Sequence, residues 1–337
     1  MLKKKTTFVK YLFDEQEHLP ATTGAFTDLM IQINHATKII AHELKQAGLV
    51  DRLGYTGDVN VQGEKVKNLD RWSNEIFVEA LKESRAVCTL VSEEMDEPLH
   101  LTECCKAGKY VVCFDPIDGS SNIDVNGILG TIFSVRRRRD FGTGHVSADV
   151  LQKGTEQVSA GYVMYGPSTV LVYTTGQSVN GFTLDPDTGE FVLSHPKIQI
   201  PKRGSIYSVN EGNYHRWHPQ TRRVVDFLRE IDKSSGRPYS LRYVGSLVAD
   251  FHRTLLEGGI YLYPVDADDP DKPMGKLRLL YEASPMAFIA EVAGGRATTG
   301  DERIMDIQPS SHHQRVPLII GSAEDVALAE DFYHGRR

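Results

Sequence analysis

The sequence predicts a layered α/β fold, and three observations carry that reading. Val87-Cys88-Thr89-Leu90-Val91 and Tyr110-Val111-Val112-Cys113-Phe114 are short apolar runs rich in β-branched and aromatic residues, the pattern of strands buried on both faces. Leu29, Met30, Ile33, Ala36, Ile40 and Leu44 recur at helical spacing, and Lys45 and Gly48 close that stripe. A second stripe, Leu69, Trp72, Ile76, Ala80 and Leu81, marks a helix leading into the strand that ends at Glu93. Helix followed by strand is the alternation of layered α/β proteins.

Further along, Val170-Leu171-Val172-Tyr173-Thr174 and Val179-Asn180-Gly181-Phe182-Thr183-Leu184 read as antiparallel strands, with a turn at Asp185-Pro186-Asp187-Thr188-Gly189. Two prolines, a glycine and mixed charge over Leu193 to Gly204 place a domain boundary near residue 196, giving units 1–195 and 196–337. Beyond it, helices are predicted over Thr221 to Ile231, Leu247 to Glu257 and Lys276 to Val292. Gly259-Ile260-Tyr261-Leu262-Tyr263 is predicted as a strand between the last two. A length of 337 residues also favours two domains.

A net charge of −7 disfavours a nucleic-acid partner, whose footprint is a strongly basic domain. Met1 to Lys5 is basic, but no apolar signal core follows and no run of 18 apolar residues occurs, so the reading is a soluble cytoplasmic protein without a membrane partner. Cys88, Cys104, Cys105 and Cys113 lack zinc-site spacing and read as reduced thiols, Cys88 and Cys113 as small core residues.

Acidic groups collect where two strands end: Glu93 and Glu94 after the first, and Asp115-Pro116-Ile117-Asp118-Gly119-Ser120-Ser121-Asn122 after the second, with Glu64 and Asp70 upstream. Crevices at strand C-termini are where open α/β sheets bind ligands. Two carboxylates 4 Å apart repel by about 4 kcal/mol at an effective dielectric near 20, so a shared site needs cations. Oxygen ligands without His or Cys suit Mg²⁺ or Mn²⁺ rather than zinc. The two aspartates bracket a proline-stiffened turn, and Gly119-Ser120-Ser121 offers N–H groups and hydroxyls to a phosphate. Together these features point to metal-dependent phosphate chemistry.

The same residues resemble the class I fructose-1,6-bisphosphatases, within the wider group of metal-dependent, lithium-sensitive sugar and inositol phosphatases. Asp-Pro-Ile-Asp-Gly-Ser-Ser marks the wide group. The narrower match rests on Asn210-Glu211-Gly212, Arg242-Tyr243-Val244-Gly245-Ser246, Gly258 to Pro264 and Gly275 to Glu282, covering about Thr23 to Asp306. The resemblance implies an α-β-α-β-α layered fold with two mixed sheets and hydrolysis of the 1-phosphate of fructose 1,6-bisphosphate in gluconeogenesis. It also implies more than one divalent cation per subunit, held by Glu93, Asp115, Asp118, Glu282 and the Ile117 carbonyl, with Glu64 and Asp70 completing the site. Glu94, or Asp70 through it, would act as general base on the attacking water.

For substrate, the resemblance implies Asp118, Gly119, Ser120 and Ser121 at the reacting end, and Asn210, Tyr214, Tyr243, Tyr261, Tyr263 and Lys276 around the second phosphate. Arg242 would reach the 6-phosphate of a neighbouring subunit, so a homo-oligomer is expected, in the family often a tetramer. A point charge, a planar fork and tyrosine hydroxyls are sound partners for a phosphate. Asn213 intervenes between Asn-Glu-Gly and Tyr214, where the family's shorter form has the tyrosine directly. Thr23, Gly24, Thr27, Lys109, Tyr110 and Arg136 would form a remote pocket for AMP as inhibitor, although Ala25 and Phe26 depart from the usual Glu-Leu. Arg136 to Arg139 otherwise reads as a solvated or inter-subunit face. His312 and His313 sit in no motif and read as structural or exposed. The rivals are phosphatases for sedoheptulose bisphosphate or inositol monophosphate, and a non-enzymatic AMP sensor.

Overall fold

Strands buried on both faces set the layers. The computed structural model describes residues 6–18, 24–49, 53–59, 65–101, 108–139, 146–267 and 274–337. The first layer is α1 (Phe8–His18), α2 (Gly24–Leu44) and α3 (Asn68–Glu83), with the small hairpin β1 (Tyr55–Val59) and β2 (Lys65–Lys67) between the last two. Phe8, Leu29, Met30, Ile33, Phe77 and Leu81 from these helices are buried against Val112, Phe114, Phe133, Val135 and Phe182 of the sheet below. Both helical stripes expected from the sequence are therefore helices, and each buries its apolar face.

That sheet has eight strands: β3 (Val87–Ser92), β4 (Leu99–His100), β5 (Tyr110–Asp118), β6 (Leu129–Arg137), β7 (Gln157–Tyr165), β8 (Thr169–Thr174), β9 (Val179–Asp185) and β10 (Glu190–Ile198), in spatial order 10-9-8-7-6-5-3-4. β3 and β5 are parallel and the other pairs antiparallel. Residue 196, expected near a linker, lies inside β10, whose pairing with β9 shifts register around His195. A short helix, α4 (Val146–Val150), connects β6 to β7.

The second sheet holds β11 (Ile206–Ser208), β12 (Ser240–Leu241), β13 (Ile260–Tyr263), β15 (Arg296–Thr298) and β17 (Leu318–Gly321). β14 (Leu277–Arg278) and β16 (Arg315–Val316) pair separately. Between the two sheets lie α6 (Leu247–Glu257) and α7 (Ser284–Val292), with Val248, Phe251, Met286 and Ile289 buried between Tyr162 and Val172 on one side and Tyr261 and Ile320 on the other. α5 (Pro219–Arg229) and α8 (Ala323–Tyr333) cover the far face through Val225, Leu228, Val326 and Phe332. The result is the α-β-α-β-α layering with two mixed sheets.

Three local expectations change. The turn expected at Asp115-Pro116 is strand, since β5 runs on through Asp118. The helix expected over 276–292 is divided: β14 comes first, then a π-helical segment Leu279–Ala283, and α7 closes the run. Pro285 gives the reason, because its ring excludes a regular i→i−4 turn. Ser284 N–H donates instead to the Leu279 carbonyl five residues back, a wider turn of the kind found at functional sites. Cys113 is a free, buried thiol, but Cys88 is disulfide-bonded, its partner lying outside the described residues. Sequence spacing does not reveal that the chain returns beside Cys88, where Leu101 N–H donates to the Cys88 carbonyl at 2.9 Å.

Candidate active site

The C-terminal ends of parallel strands β3 and β5 open into a cavity of about 210 Å³ lined by Glu93, Asp115, Asp118, Arg278 and Glu282, with Gly119, Ser120 and Ser121 on its rim. One backbone irregularity builds it. Asp115 pairs with Ile132 of β6 and Asp118 with Gly130, so three steps on β5 face two on β6. Regular alternation would send residues three apart to opposite faces; the extra residue of this bulge turns both aspartates the same way. Carboxylate oxygens of Asp115, Asp118 and Glu282 consequently lie within 4.8 Å of one another.

Each carboxylate is held by a separate element. Asp118 accepts from Ser246 Oγ at 2.6 Å, from Val248 N–H at 2.8 Å and from Leu247 N–H at 3.2 Å, which seats it on the N-terminus of α6. Asp115 accepts from Ile117 N–H, two residues on along β5, at 3.0 Å. Glu282 stands on the π-helical segment and accepts from Arg278 N–H at 2.6 Å. Glu93 comes directly after β3, its N–H on the Phe114 carbonyl, and its carboxylate meets Arg278 Nη2 at 2.7 Å. Gly119 makes the join possible. It adopts φ +77°, and a Cβ there would sit 2.7 Å from Ser246 Cβ.

Burial dominates the electrostatics. It pushes Asp118 up to about 6 against the three hydrogen bonds that pull it down. Burial, with Glu93, Asp118 and Glu282 close by, holds Asp115 well above the usual carboxylate range. Glu282 is raised likewise, first by burial, although Arg278 opposes the shift. Buried carboxylates forced together in this way are a donor set that fits hard divalent cations.

A second cavity of about 70 Å³ adjoins the first and shares Tyr243, Tyr263 and Lys276 with it; Asn210, Asn213, Trp217 and Asp266 also line it, with Val209, Leu262 and Pro264. Lys276 Nζ rests 3.0 Å from Asp266 Oδ2. Tyr261 is fully buried and lines the acidic cavity.

Several expected residues stand elsewhere. Asp70 lies in the first turn of α3, where it accepts from Lys67 N–H at 3.2 Å, and neither it nor Glu94 lines the acidic cavity. Tyr214 is turned away from the second cavity, its hydroxyl donating to Asp226 at 2.8 Å, and Asn213 takes the wall position. Arg242 is exposed, with Nη1 on the Leu241 carbonyl, and lines neither cavity of its own chain. Glu64 and Thr23 lie outside the described residues.

Gly24 and Thr27 begin α2, and the Tyr110 ring lies 5.8 Å from Phe26 on the same side of the sheet; Lys109 is exposed. Arg136 does not join this group. It pairs with Val111, its side chain is fully buried, and Nη1 donates to Ser134 Oγ at 2.5 Å beside Cys113. Pleating puts it on the opposite face from Tyr110, and Arg137, the exposed residue paired with Tyr110, is the arginine of that register. Arg278 lines the acidic cavity although the sequence reading did not name it there. Its signal was its position four residues before Glu282, where an ion pair along one segment is geometrically easy.

Among the described residues no helix is long and apolar enough to cross a membrane. Family models match nearly the whole chain: "Fructose-1-6-bisphosphatase, N-terminal domain" over residues 6–196 and "Fructose-1-6-bisphosphatase, C-terminal domain" over 200–334. The chain is 52% identical over 333 residues to the "Fructose-1,6-bisphosphatase class 1" of Maridesulfovibrio salexigens, covering 98% of each chain. It is 53% identical over 334 residues to the protein of that name from Nitratidesulfovibrio vulgaris, covering 99% of each. A crystal structure of Leishmania major fructose-1,6-bisphosphatase in holo form superposes with a TM-score of 0.91 at 44% identity, over 98% of this chain and 100% of that one. The same protein in its T-state superposes at 0.87 and 43%, over 98% and 99%. Fold, acidic cavity and full-length similarity agree, and the chain belongs to the class 1 fructose-1,6-bisphosphatase family.

Proposed function

We infer that the chain hydrolyses fructose 1,6-bisphosphate at its 1-phosphate, giving fructose 6-phosphate and inorganic phosphate, the hydrolytic step of gluconeogenesis. The observation that carries this reading is the pairing of two cavities through Tyr243, Tyr263 and Lys276: an acidic one for the reacting phosphate and one lined by a lysine and tyrosines for a second. A monophosphate would leave the second wall unused.

Glu93, Asp115, Asp118, Glu282 and the Ile117 carbonyl would hold more than one divalent cation, Mg²⁺ or Mn²⁺. Bound there, such cations activate water and offset phosphate charge. This chain's own residues do the rest. Gly119, Ser120 and Ser121 present backbone N–H groups to the 1-phosphate, and α6 fixes Asp118 beside it. Lys276 and Asn210 hold the 6-phosphate and so orient C1. Glu94, directly after the cavity residue Glu93, takes the proton from the attacking water, with Asp70 behind it, as the new phosphorus–oxygen bond forms and the bond between phosphorus and the C1 oxygen breaks; that oxygen leaves with the sugar and takes its proton from solvent water.

We also propose a homotetramer in which Arg242 serves the neighbouring 6-phosphate; its exposure outside its own pocket supports this. AMP is proposed to bind at Gly24, Thr27, Lys109 and Tyr110, with Arg137 in the role expected of Arg136, supported by the shared register of Tyr110 and Arg137. The relative described in a T-state supports such a switch in the family.

The test is phosphate release from fructose 1,6-bisphosphate and from inositol 1-phosphate, with EDTA, Mg²⁺, Mn²⁺ and added AMP. Metal-dependent preference for the bisphosphate is expected. Equal rates on the two substrates would overturn the reading, and indifference to AMP would remove the regulatory part alone.

A further inference from the structure

The segment 310–314 comes from late in the chain yet docks on the turn after β3. His312 Nε2 lies 2.8 Å from the Asp96 carbonyl, and His313 Nε2 lies 3.0 Å from the Met95 carbonyl. A carbonyl only accepts, so each ring carries its hydrogen on Nε2. The other nitrogen of His313 stands 2.7 Å from the Tyr281 hydroxyl. In a neutral ring that nitrogen accepts, and Tyr281 donates to it.

Both ends of this bridge stand close in sequence to acidic residues of the cavity, Glu282 at one end and Glu93, two residues before Met95, at the other. Tyr281 is fully buried and immediately precedes Glu282; Met95 stands directly after Glu94. The imidazole therefore spans the two elements that bring Glu93 and Glu282 to the acidic cavity. Arg278 joins the same pair inside the cavity, at 2.7 Å from Glu93 and 3.7 Å from Glu282. His313 joins them from behind.

We propose that His313 is a positioning residue, a neutral Nε2–H imidazole that fixes the Glu93–Glu94 turn relative to Glu282 by donating to Met95 and accepting from Tyr281. This rests on the assignment of Glu93, Glu94 and Glu282 to the metal and base positions. Burial, the His312 ring centred 4.3 Å away and the Arg278 charge lower the His313 pKa, against the Met95 and Asp96 carbonyls, which raise it. Groups bonded directly to a metal ligand change metal affinity or activity by roughly 10–100-fold when removed; His313 acts one residue further back on each side, so the lower end of that range applies, and a misplacement of about 1 Å costs on the order of 100-fold.

The experiment combines turnover, metal binding and spectroscopy. His313→Ala is expected to lower kcat about 10-fold or more while KM for fructose 1,6-bisphosphate moves less than about 3-fold, and to weaken substrate-free Mn²⁺ binding by about 10-fold in calorimetry. Tyr281→Phe should give part of this loss, and the double variant no more than His313→Ala alone, as for residues acting through one bridge. His313→Gln, whose amide can still donate to Met95, should recover part of kcat and covers the case in which the alanine variant fails to fold. Nitrogen-15 spectra of the wild type should show His313 protonated at Nε2 alone, a pattern altered by Tyr281→Phe. Unchanged kcat and Mn²⁺ affinity in His313→Ala, additive losses in the double variant, or a ring protonated at Nδ1 would each overturn the proposal. Loss of fructose bisphosphate hydrolysis in the wild type, with the spectra and Mn²⁺ results as expected, would refute the substrate reading and leave the bridge standing.

Discussion

Arg278 holds two carboxylates that arrive from distant segments: Nη2 meets Glu93 at 2.7 Å, and its own N–H donates to Glu282 at 2.6 Å. The guanidinium is nearly buried, so its removal leaves acidic charge in a poorly hydrated place. Arg278→Met should cost about 3–5 kcal/mol of stability in metal-free protein, and Mg²⁺ should restore most of it. Urea unfolding in EDTA and in Mg²⁺ checks this. An equal loss in both would show that the arginine does not balance the acidic charge.

Asp118 gives a pH signature. Its folded-state pKa, raised from 3.8 to about 6, keeps a proton bound where the unfolded chain has released it. Native protein binds more protons across that window, so stability falls as pH rises from about 4 through 6, by about 3 kcal/mol for this group. Asp115 and Glu282, also raised, act with the same sign. In EDTA, the stability of wild type relative to Asp118→Asn should decline over this range. A constant difference would refute it. With metal present, Asp118→Asn should lose at least about 100-fold in kcat.

The second cavity predicts a division between neighbours in sequence. Asn213→Ala should raise KM several-fold, whereas Tyr214→Phe should leave it unchanged because that hydroxyl serves Asp226. Lys276→Ala should raise KM by about 10–100-fold with kcat within about 3-fold, the loss of one charge-assisted phosphate contact. Steady-state kinetics on the three variants decides, and a KM effect at Tyr214 would place the tyrosine back at the phosphate.

Arg242 predicts complementation. If Arg242 serves the neighbouring site as proposed, a mixture of Asp118→Asn and Arg242→Ala subunits, unfolded and reassembled together, should recover activity at low substrate, because a subunit with intact Asp118 would then receive Arg242 from its neighbour. No recovery above the separate variants would mean that each chain uses its own arginine.

Much of the fold was fixed by local pattern. The stripes at Leu29 to Leu44 and at Leu69 to Leu81 are helices, and the runs at Val87 and Tyr110 are buried parallel strands, because helix and strand periodicities are set by neighbours a few residues apart. The acidic cluster was equally legible as residue types: Glu93, Asp115, Asp118 and Glu282 do line one cavity. What the sequence left undecided was direction. One extra residue in β5 turns Asp115 and Asp118 to the same face, and pleating sends Arg136 to the face opposite Tyr110. Asn213 rather than Tyr214 lines the second cavity, and Pro285 converts a predicted helix start into the π-turn that carries Glu282. Periodicity determines which elements form, since their sterics are local. Which way each side chain faces depends on register, bulges and docking between distant segments, and those are settled only when the layers pack.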